Sequence, residues 1–155
     1  MLASLLKRFN STFALGTLLF ALTAQAAEGL TDAANLKTLG AANPNEVIVL
    51  MVSQEHCGYC VRVKEDYLKP LLQTENAPPV RVLHLDKTDT LVDFDGQQRS
   101  GSLIASRLGG RFTPTLLFVD GQGQALHDPI VGLTTPEYYG YYLDEAIAKS
   151  RKKLN

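Results

Sequence analysis

Hydrophobic positions change their period along the chain, and the changes predict a succession of strands and helices. Residues 47–52 form a nearly continuous apolar run, which is typical of a strand buried on both faces of a sheet. Helix-like spacing follows over residues 58–72, although Pro70 should kink or end that helix. Residues 80–86 predict a second strand, which should lie parallel to the first because a crossover helix joins them. This order indicates an α/β protein.

The second half of the chain predicts two further strands and a terminal helix. Pro114 opens an apolar strand that runs to residue 119, and a glycine-containing turn leads into an antiparallel strand at residues 124–127. Thr135 and Pro136 form a strong helix start, and this helix is expected to end near Lys149. The central sheet is therefore predicted to be mixed, with helices on its faces.

Turn and cap residues predict the smaller elements. Asp95-Gly96 is a two-residue hairpin signal between residues 91–94 and residues 97–98, and it predicts a small hairpin insertion. Two short helices are predicted from their ends: residues 31–40, with Thr31 or Asp32 as cap and Gly40 as stop, and residues 102–108, with Gly109-Gly110 as stop.

The N-terminus has the pattern of a secretory signal peptide. Lys7 and Arg8 precede an uncharged apolar run over residues 13–22, and Ala24-Gln25-Ala26 then offers a small-residue cleavage site. We therefore predict a signal peptide over residues 1–26 and one domain over residues 27–155. An uncleaved membrane anchor is the alternative, although the apolar run is shorter than the about 20 residues that span a bilayer.

Charge and cysteine content narrow the classes of function. The 155-residue chain has a formal net charge of −1, and loss of Lys7 and Arg8 with the leader would make it more negative. A chain without a basic surplus lacks the electrostatic footprint of nucleic-acid binding. The predicted domain is large enough to bury a hydrophobic core without the support of structural disulfide bonds. A single cysteine pair in an exported chain therefore indicates a working site rather than a structural framework.

That pair stands at the junction between the first predicted strand and the helix that follows it. Cys57-Gly58-Tyr59-Cys60 contains both cysteines of the chain. The first turn of a helix has unpaired N–H groups and the positive end of the dipole, so it favours an anion such as a thiolate. Pairs with this spacing lower a thiol pKa from about 8.5 to roughly 3.5–7.5. Cys57 is therefore the predicted nucleophile, and Cys60, one turn later, the predicted resolving thiol.

Other uses of the two cysteines fit the sequence less well. A disulfide across so short a loop removes little entropy from the unfolded chain, so it would add little to the stability of the fold. A zinc site would need two more ligands, and His56, His84 and His127 lack zinc-binding spacing. We interpret His84 as a histidine at the rim of a strand. No resident metal site is predicted, although delivery of a soft ion such as Cu(I) by the two thiolates stays open.

The order of elements, together with two motifs, resembles the thioredoxin superfamily over residues 45–148. The motifs are the Cys-Gly-Tyr-Cys segment and Thr113-Pro114. The resemblance implies a thioredoxin fold in which Pro114 is cis and lies beside the disulfide, while the backbone of Thr113 pairs with the substrate. It also implies that Gly58 and Tyr59 contact the substrate. The redox-active disulfide would then be the reactive group, with no other cofactor.

The chain departs from thioredoxins proper at two positions. His56 stands where they have tryptophan before the first cysteine, and the preceding apolar strand lacks their buried acidic residue. Without that carboxylate, Glu55 or water is left as the proton acceptor for Cys60. A protonated His56 would favour the Cys57 thiolate and make the disulfide more oxidising.

Within the superfamily, the chain is similar to exported bacterial proteins, namely SoxW-type thioredoxins and the catalytic domain of periplasmic disulfide isomerases. We therefore predict a periplasmic, monomeric thiol:disulfide oxidoreductase that reduces protein or small-molecule disulfides, and the resemblance implies that a membrane protein supplies its electrons. A single domain without a dimerisation module is a poor isomerase. Two alternatives remain: a disulfide oxidase or isomerase-like protein, and a non-catalytic binding module that docks a partner through residues 91–98.

Overall fold

The computed structural model of the protein describes residues 30–155. The predicted signal peptide, and the membrane anchor considered as its alternative, lie outside these residues. Within residues 30–155, no helix combines the length and the apolar character that crossing a membrane requires.

A mixed five-stranded sheet forms the centre of the structure, in the order β1-β3-β2-β6-β7. Strand β2 is parallel to β3 and antiparallel to β6, while β7 is antiparallel to β6. A separate hairpin is formed by β4 and β5. The strands are β1 Thr31–Asp32, β2 Ile48–Ser53, β3 Val80–His84, β4 Thr90–Val92, β5 Gln98–Ser100, β6 Thr115–Val119 and β7 Ala125–Val131.

Helices cover both faces of this sheet. They are α1 Leu36–Ala42, α2 Gly58–Val63, α3 Lys69–Leu71, α4 Gly101–Arg107 and α5 Pro136–Leu154, with a π-helical segment, Lys64–Leu68, between α2 and α3. All residues of β2 are buried, and their side chains alternate between the two faces. Val49 and Met51 pack with α2 and α5, whereas Leu50 and Val52 pack with α1 and α4. The α/β class and the flanked mixed sheet predicted from the sequence are confirmed.

The N-terminal prediction was wrong in its boundaries. Thr31 and Asp32 are not helix caps but form β1, which pairs in parallel with β3 at the edge of the sheet. The helix begins later, where the side chain of Asn35 accepts a hydrogen bond from the Thr38 N–H at 2.9 Å. Gly40 lies inside α1 rather than after it, and its backbone packs against the backbone of Gly121.

The long helix after β2 is disturbed ahead of Pro70, as its sequence predicts. Pro70 has no N–H for the helical ladder. The preceding segment is π-helical, and the Lys69 N–H bonds to the carbonyl of Lys64, five residues earlier. The helical stretch then ends at Leu71. The structure therefore retains one continuous helical arm with a widened turn in its middle.

The predicted hairpin insertion is present, but its turn is longer than predicted. The Asp93 N–H bonds to the carbonyl of Gln97 at 2.8 Å, so three residues rather than two form the loop. Gly96 occupies the left-handed region with φ 88°. Phe94 belongs to the turn and is buried against Gly123, where an added Cβ would lie 2.6 Å from the phenyl ring. This contact with a distant part of the chain holds Phe94 in the turn.

Buried charge anchors the same hairpin. The fully buried Asp93 carboxylate accepts hydrogen bonds from Arg99 and Arg107, each at 2.7 Å. Arg99 also bonds to Asp95, and this guanidinium lowers the pKa of Asp95 to about 2. Because a buried charge is tolerated when it is paired and hydrogen-bonded, the network fixes the hairpin against α4.

The last two elements are longer than predicted. Strand β7 continues past His127 to Val131, because its far end pairs with the start of β6. Helix α5 continues past Lys149 to Leu154, whose side chain packs against the core cluster of that face. Both extensions depend on contacts with distant parts of the chain.

Candidate redox site

The two cysteines lie where β2 passes into α2, as the sequence predicts. Cys57 has extended backbone angles and caps the helix, and its Sγ accepts a hydrogen bond from the Cys60 N–H at 3.1 Å. Sulfur at this position meets an unpaired N–H group and the positive end of the helix dipole. An anionic sulfur on Cys57 would therefore be stabilised by the backbone itself.

The pair forms a disulfide with unequal exposure. The two Cα atoms are 5.2 Å apart, and the Sγ atoms are bonded. Cys57 is partly exposed, whereas Cys60 is 1% exposed and belongs to the core. A disulfide partner in solution can therefore approach Cys57 but not Cys60. This asymmetry agrees with the predicted division into an attacking and a resolving thiol.

Strand pairing brings the Thr-Pro motif to the same end of the sheet. The antiparallel register of β2 and β6 places Val52 opposite Thr115, so the segment before β6 lies beside the segment after β2. The peptide bond between Thr113 and Pro114 is cis. The Pro114 carbonyl accepts a hydrogen bond from the Gly132 N–H at 2.8 Å, which fixes this segment to the end of β7.

Thr113 is left available next to this fixed proline. The Thr115 hydroxyl donates to the Phe112 carbonyl at 2.8 Å and closes the loop around the proline. Within residues 30–155, the backbone of Thr113 has no hydrogen-bond partner. Its N–H and carbonyl can therefore pair with an extended chain bound from outside. The role predicted for Thr113 stays a prediction.

Each of the two motifs carries an exposed aromatic residue inside it or beside it. Tyr59, inside the motif, is 61% exposed, and Phe112, next to Thr113, is 69% exposed. A Cβ built on Gly58 would meet no atom within 4 Å, so the space in front of the first helical turn is open. Large exposed apolar side chains favour contact with a partner. The sequence singled out Gly58 and Tyr59 but missed Phe112.

The surroundings of Cys60 are apolar. Met51 of β2 and Val63 of α2 belong to the same buried cluster. Among residues 30–155, the buried charged side chain is Asp93, and it is bonded to arginines in the hairpin. The structure thus agrees with the missing carboxylate noted in the sequence. Glu55 is exposed, so its proposed role as proton acceptor stays a prediction.

The histidines have different environments. His56 is exposed and has left-handed backbone angles, with φ 56°, directly before Cys57. Its predicted influence on the Cys57 thiolate stays a prediction. His84, at the end of β3, is a rim histidine as expected: its Nε2 lies 2.9 Å from Asp32 Oδ1. No cluster of three or more metal-ligating side chains is found in the described part of the chain.

A residue that the sequence analysis missed contacts the segment just before the cysteine motif. Asp86 Oδ2 accepts a hydrogen bond from the Glu55 N–H at 2.6 Å, and this bond lowers the pKa of Asp86. Beside it, burial of Asp32 is outweighed by hydrogen bonds from Lys87 and His84, which lower the pKa of Asp32. The only sequence signal was the position of Asp86 just after a parallel strand.

Comparison with known proteins identifies the architecture. A family model described as a thioredoxin-like domain matches residues 33–147. The chain belongs to this thioredoxin-like domain family. The matched region includes the cysteine pair, the Thr113-Pro114 segment and most of the five-stranded sheet. Membership of the thioredoxin superfamily, predicted from the two motifs, is confirmed.

Solved structures agree on the fold of this thioredoxin-like domain. A mutant thioredoxin from Halobacterium salinarum NRC-1 is 20% identical, with 81% of this chain and 96% of that chain covered and a TM-score of 0.52. The reduced thioredoxin pre-protein of Schistosoma mansoni is 18% identical, with coverages of 79% and 98% and a TM-score of 0.53. Oxidised thioredoxin O2 from Arabidopsis thaliana is 15% identical, with coverages of 78% and 96% and a TM-score of 0.53.

These identities support the fold alone, so the closer similarity to SoxW-type proteins and disulfide isomerases stays a prediction. A search of curated proteins gives no significant match. The thioredoxin-like domain with its disulfide between closely spaced cysteines supports, in general terms, a thiol:disulfide oxidoreductase.

Proposed function

We propose that this thioredoxin-like protein is an exported thiol:disulfide oxidoreductase that reduces disulfides in proteins or small molecules. One observation supports the proposal most strongly. Cys57 is partly exposed at the start of α2, and its sulfur lies within hydrogen-bond distance of the Cys60 N–H and is bonded to the sulfur of the buried Cys60. This arrangement provides one reactive sulfur and one protected sulfur that can displace a bound partner.

Reduction proceeds by two exchanges. The Cys57 thiolate attacks one sulfur of the partner disulfide, so a mixed disulfide forms and the partner's S–S bond breaks. The first partner sulfur leaves as a thiolate and takes up a proton from water. Cys60 then attacks the Cys57 sulfur, which restores the internal disulfide and releases the second partner thiol. Two electrons have passed from the protein to its partner.

The second exchange requires Cys60 to lose a proton inside an apolar cluster. Burial in such surroundings disfavours the charged thiolate. Water or the Glu55 carboxylate is the proposed acceptor of this proton. The resolving step is expected to be slower than the same step in a site with a buried carboxylate.

Substrate binding would use the free backbone beside Pro114. An extended partner segment can pair with the Thr113 N–H and carbonyl, and Gly58 and the exposed Tyr59 are the proposed contacts within the cysteine motif. Phe112 would add apolar contact area next to this segment. A polypeptide disulfide gains these contacts, whereas a small disulfide gains few of them. Protein disulfides are therefore the preferred substrates within the proposal.

The proposed location is the periplasm, on the basis of the signal-peptide pattern over residues 1–26. A reductase in an oxidising compartment must be re-reduced after each cycle, so a membrane protein is the proposed electron donor. The internal disulfide is the proposed redox group, without a further cofactor, and the proposed form is a monomer. Nucleic acid is not a proposed partner.

The direction of electron flow is tested by the reduction potential of the Cys57/Cys60 pair. The purified protein is equilibrated with glutathione or dithiothreitol redox buffers and quenched with acid. The fraction of protein that carries the Cys57–Cys60 disulfide is then measured. The proposal predicts a potential near the about −270 mV of a reducing thioredoxin. A potential near the about −120 mV of a strong oxidant would contradict reduction and favour disulfide donation instead.

A further inference from the structure

Asp86 holds the segment that leads into Cys57. Its Oδ2 accepts a hydrogen bond from the backbone N–H of Glu55 at 2.6 Å, across 31 positions of the chain. Glu55 lies two residues before Cys57, in the short connection between β2 and α2. Within the described part of the chain, this is the hydrogen bond that ties residues 54–56 to a distant segment, the one after β3.

The connection needs such an anchor. His56, between Glu55 and Cys57, has φ 56°, which is a sparsely populated conformation for a residue with a side chain. Residues of this kind keep their conformation only when their surroundings hold them. On one side the Ser53 carbonyl is bonded to the Leu85 N–H at 2.9 Å, and on the other Cys57 caps α2. Asp86 restrains the exposed residues in between.

Asp86 lies beside a cluster of ionisable side chains at the end of the sheet. His84 Nδ1 lies 4.0 Å from Asp86 Oδ1, while His84 Nε2 lies 2.9 Å from Asp32 Oδ1. Lys87 Nζ bonds to Asp32 Oδ2 at 2.6 Å. The hydrogen bond from the Glu55 N–H lowers the pKa of Asp86. The Asp86 carboxylate lies among these side chains, and its Oδ2 accepts from the Glu55 N–H.

We propose that Asp86 is a positioning residue for the Cys57 thiolate, acting through the Glu55 N–H to keep Cys57 at the start of α2. The inference rests on the proposed function, because it concerns the reactive form of Cys57. Without the acceptor, residues 54–56 relax, and the Cys57 sulfur loses its fixed position beside the Cys60 N–H. The thiolate is then less stabilised and less populated at neutral pH.

Three variants separate the hydrogen bond from the charge. Asp86→Ala removes both, whereas Asp86→Asn removes the charge and keeps an oxygen that can accept from the Glu55 N–H. Asp89→Asn is the matched control, because it removes the same charge from the same exposed segment and has no hydrogen bond to residues 54–56. Each purified protein is reduced and alkylated with iodoacetamide at pH 7, and modification of Cys57 is followed by peptide mass.

The proposal predicts that Cys57 is alkylated about three- to tenfold more slowly in Asp86→Ala than in Asp86→Asn. The reason is that a displaced sulfur loses part of the rate enhancement that its fixed position provides. Asp86→Asn and Asp89→Asn should stay within about twofold of the parent protein. A purely structural role of Asp86 would lower the melting temperature of Asp86→Ala but leave the alkylation rate of Cys57 unchanged.

Two results would overturn the positioning role alone. In the first, the parent protein reacts fast and Asp86→Ala reacts equally fast. In the second, Asp86→Ala and Asp86→Asn slow to the same extent, which would assign the effect to charge. A parent Cys57 that reacts no faster than a free cysteine, with its pKa of about 8.5, would overturn the proposed function itself and the positioning role with it.

Discussion

Cys57→Ser should abolish disulfide reduction. A serine hydroxyl cannot form a mixed disulfide, and the remaining thiol, Cys60, is 1% exposed and cannot reach a partner. We expect turnover with a model protein disulfide, such as insulin, to fall by at least about 1,000-fold, which corresponds to about 4 kcal/mol in the activation barrier. The measurement is the rate of insulin reduction with dithiothreitol as electron source, after subtraction of the uncatalysed rate.

Cys60→Ser is the informative companion to this variant. It should also lose turnover, because the mixed disulfide on Cys57 is no longer resolved. Its Cys57 should nevertheless be alkylated as fast as in the parent protein, since the start of α2 is intact. Retention of more than a tenth of the turnover in Cys57→Ser would show that Cys57 is not the site of exchange. A non-catalytic binding module would instead leave the parent protein itself without turnover above the uncatalysed rate.

Gly40→Ala should destabilise the protein strongly, against the usual preference of helices for alanine. A Cβ at Gly40 would lie 2.0 Å from the Gly121 carbonyl oxygen, and backbone atoms cannot move aside as a flexible side chain can. Such overpacking should lower the free energy of unfolding by about 3 kcal/mol. At the size of this domain, the melting temperature should fall by about 10 °C. Thermal unfolding followed by circular dichroism measures the shift.

Gly140→Ala is the matched control for that substitution. Gly140 also lies inside a helix, α5, but its Cβ would come no closer than 4.0 Å to the nearest side-chain atom, Tyr67 Cδ1. Alanine there should stabilise the protein by about 0.5–1 kcal/mol through the lower backbone entropy of the unfolded chain. If Gly40→Ala shifted the melting temperature upward like Gly140→Ala, the close packing of α1 on Gly121 would be refuted.

The sequence predicted those parts of the fold that depend on local pattern. Val47 to Val52 indicated a central strand because no polar residue interrupts the run, and the structure buries every residue of β2. The position of the cysteine pair could be predicted because an apolar strand pattern ends just before it and a helical pattern begins just after it. Most of the candidate site follows from this junction and from the proline that opens β6.

The remaining errors come from contacts between distant residues. Thr31 and Asp32 have the residue types of helix caps, but they pair with β3 and form an edge strand of the sheet. The hairpin turn gains a residue because Phe94 inserts beside Gly123, which belongs to a later turn of the chain. The role of Asp86 could not be predicted from a sequence motif, because its partner is a backbone N–H rather than a recognisable side chain. Local propensity contains no information about such partners.

The most direct test of the central claim is capture of a mixed disulfide on Cys57. Reduced Cys60→Ser protein is incubated with oxidised insulin, quenched with acid and measured by intact mass, with the Cys57→Ser/Cys60→Ser double variant as control. The account predicts a covalent adduct that has the mass of the partner added, is removed by dithiothreitol and is absent from the double variant. If no adduct formed on Cys57 while insulin remained oxidised and accessible, thiol:disulfide exchange through this residue would be contradicted.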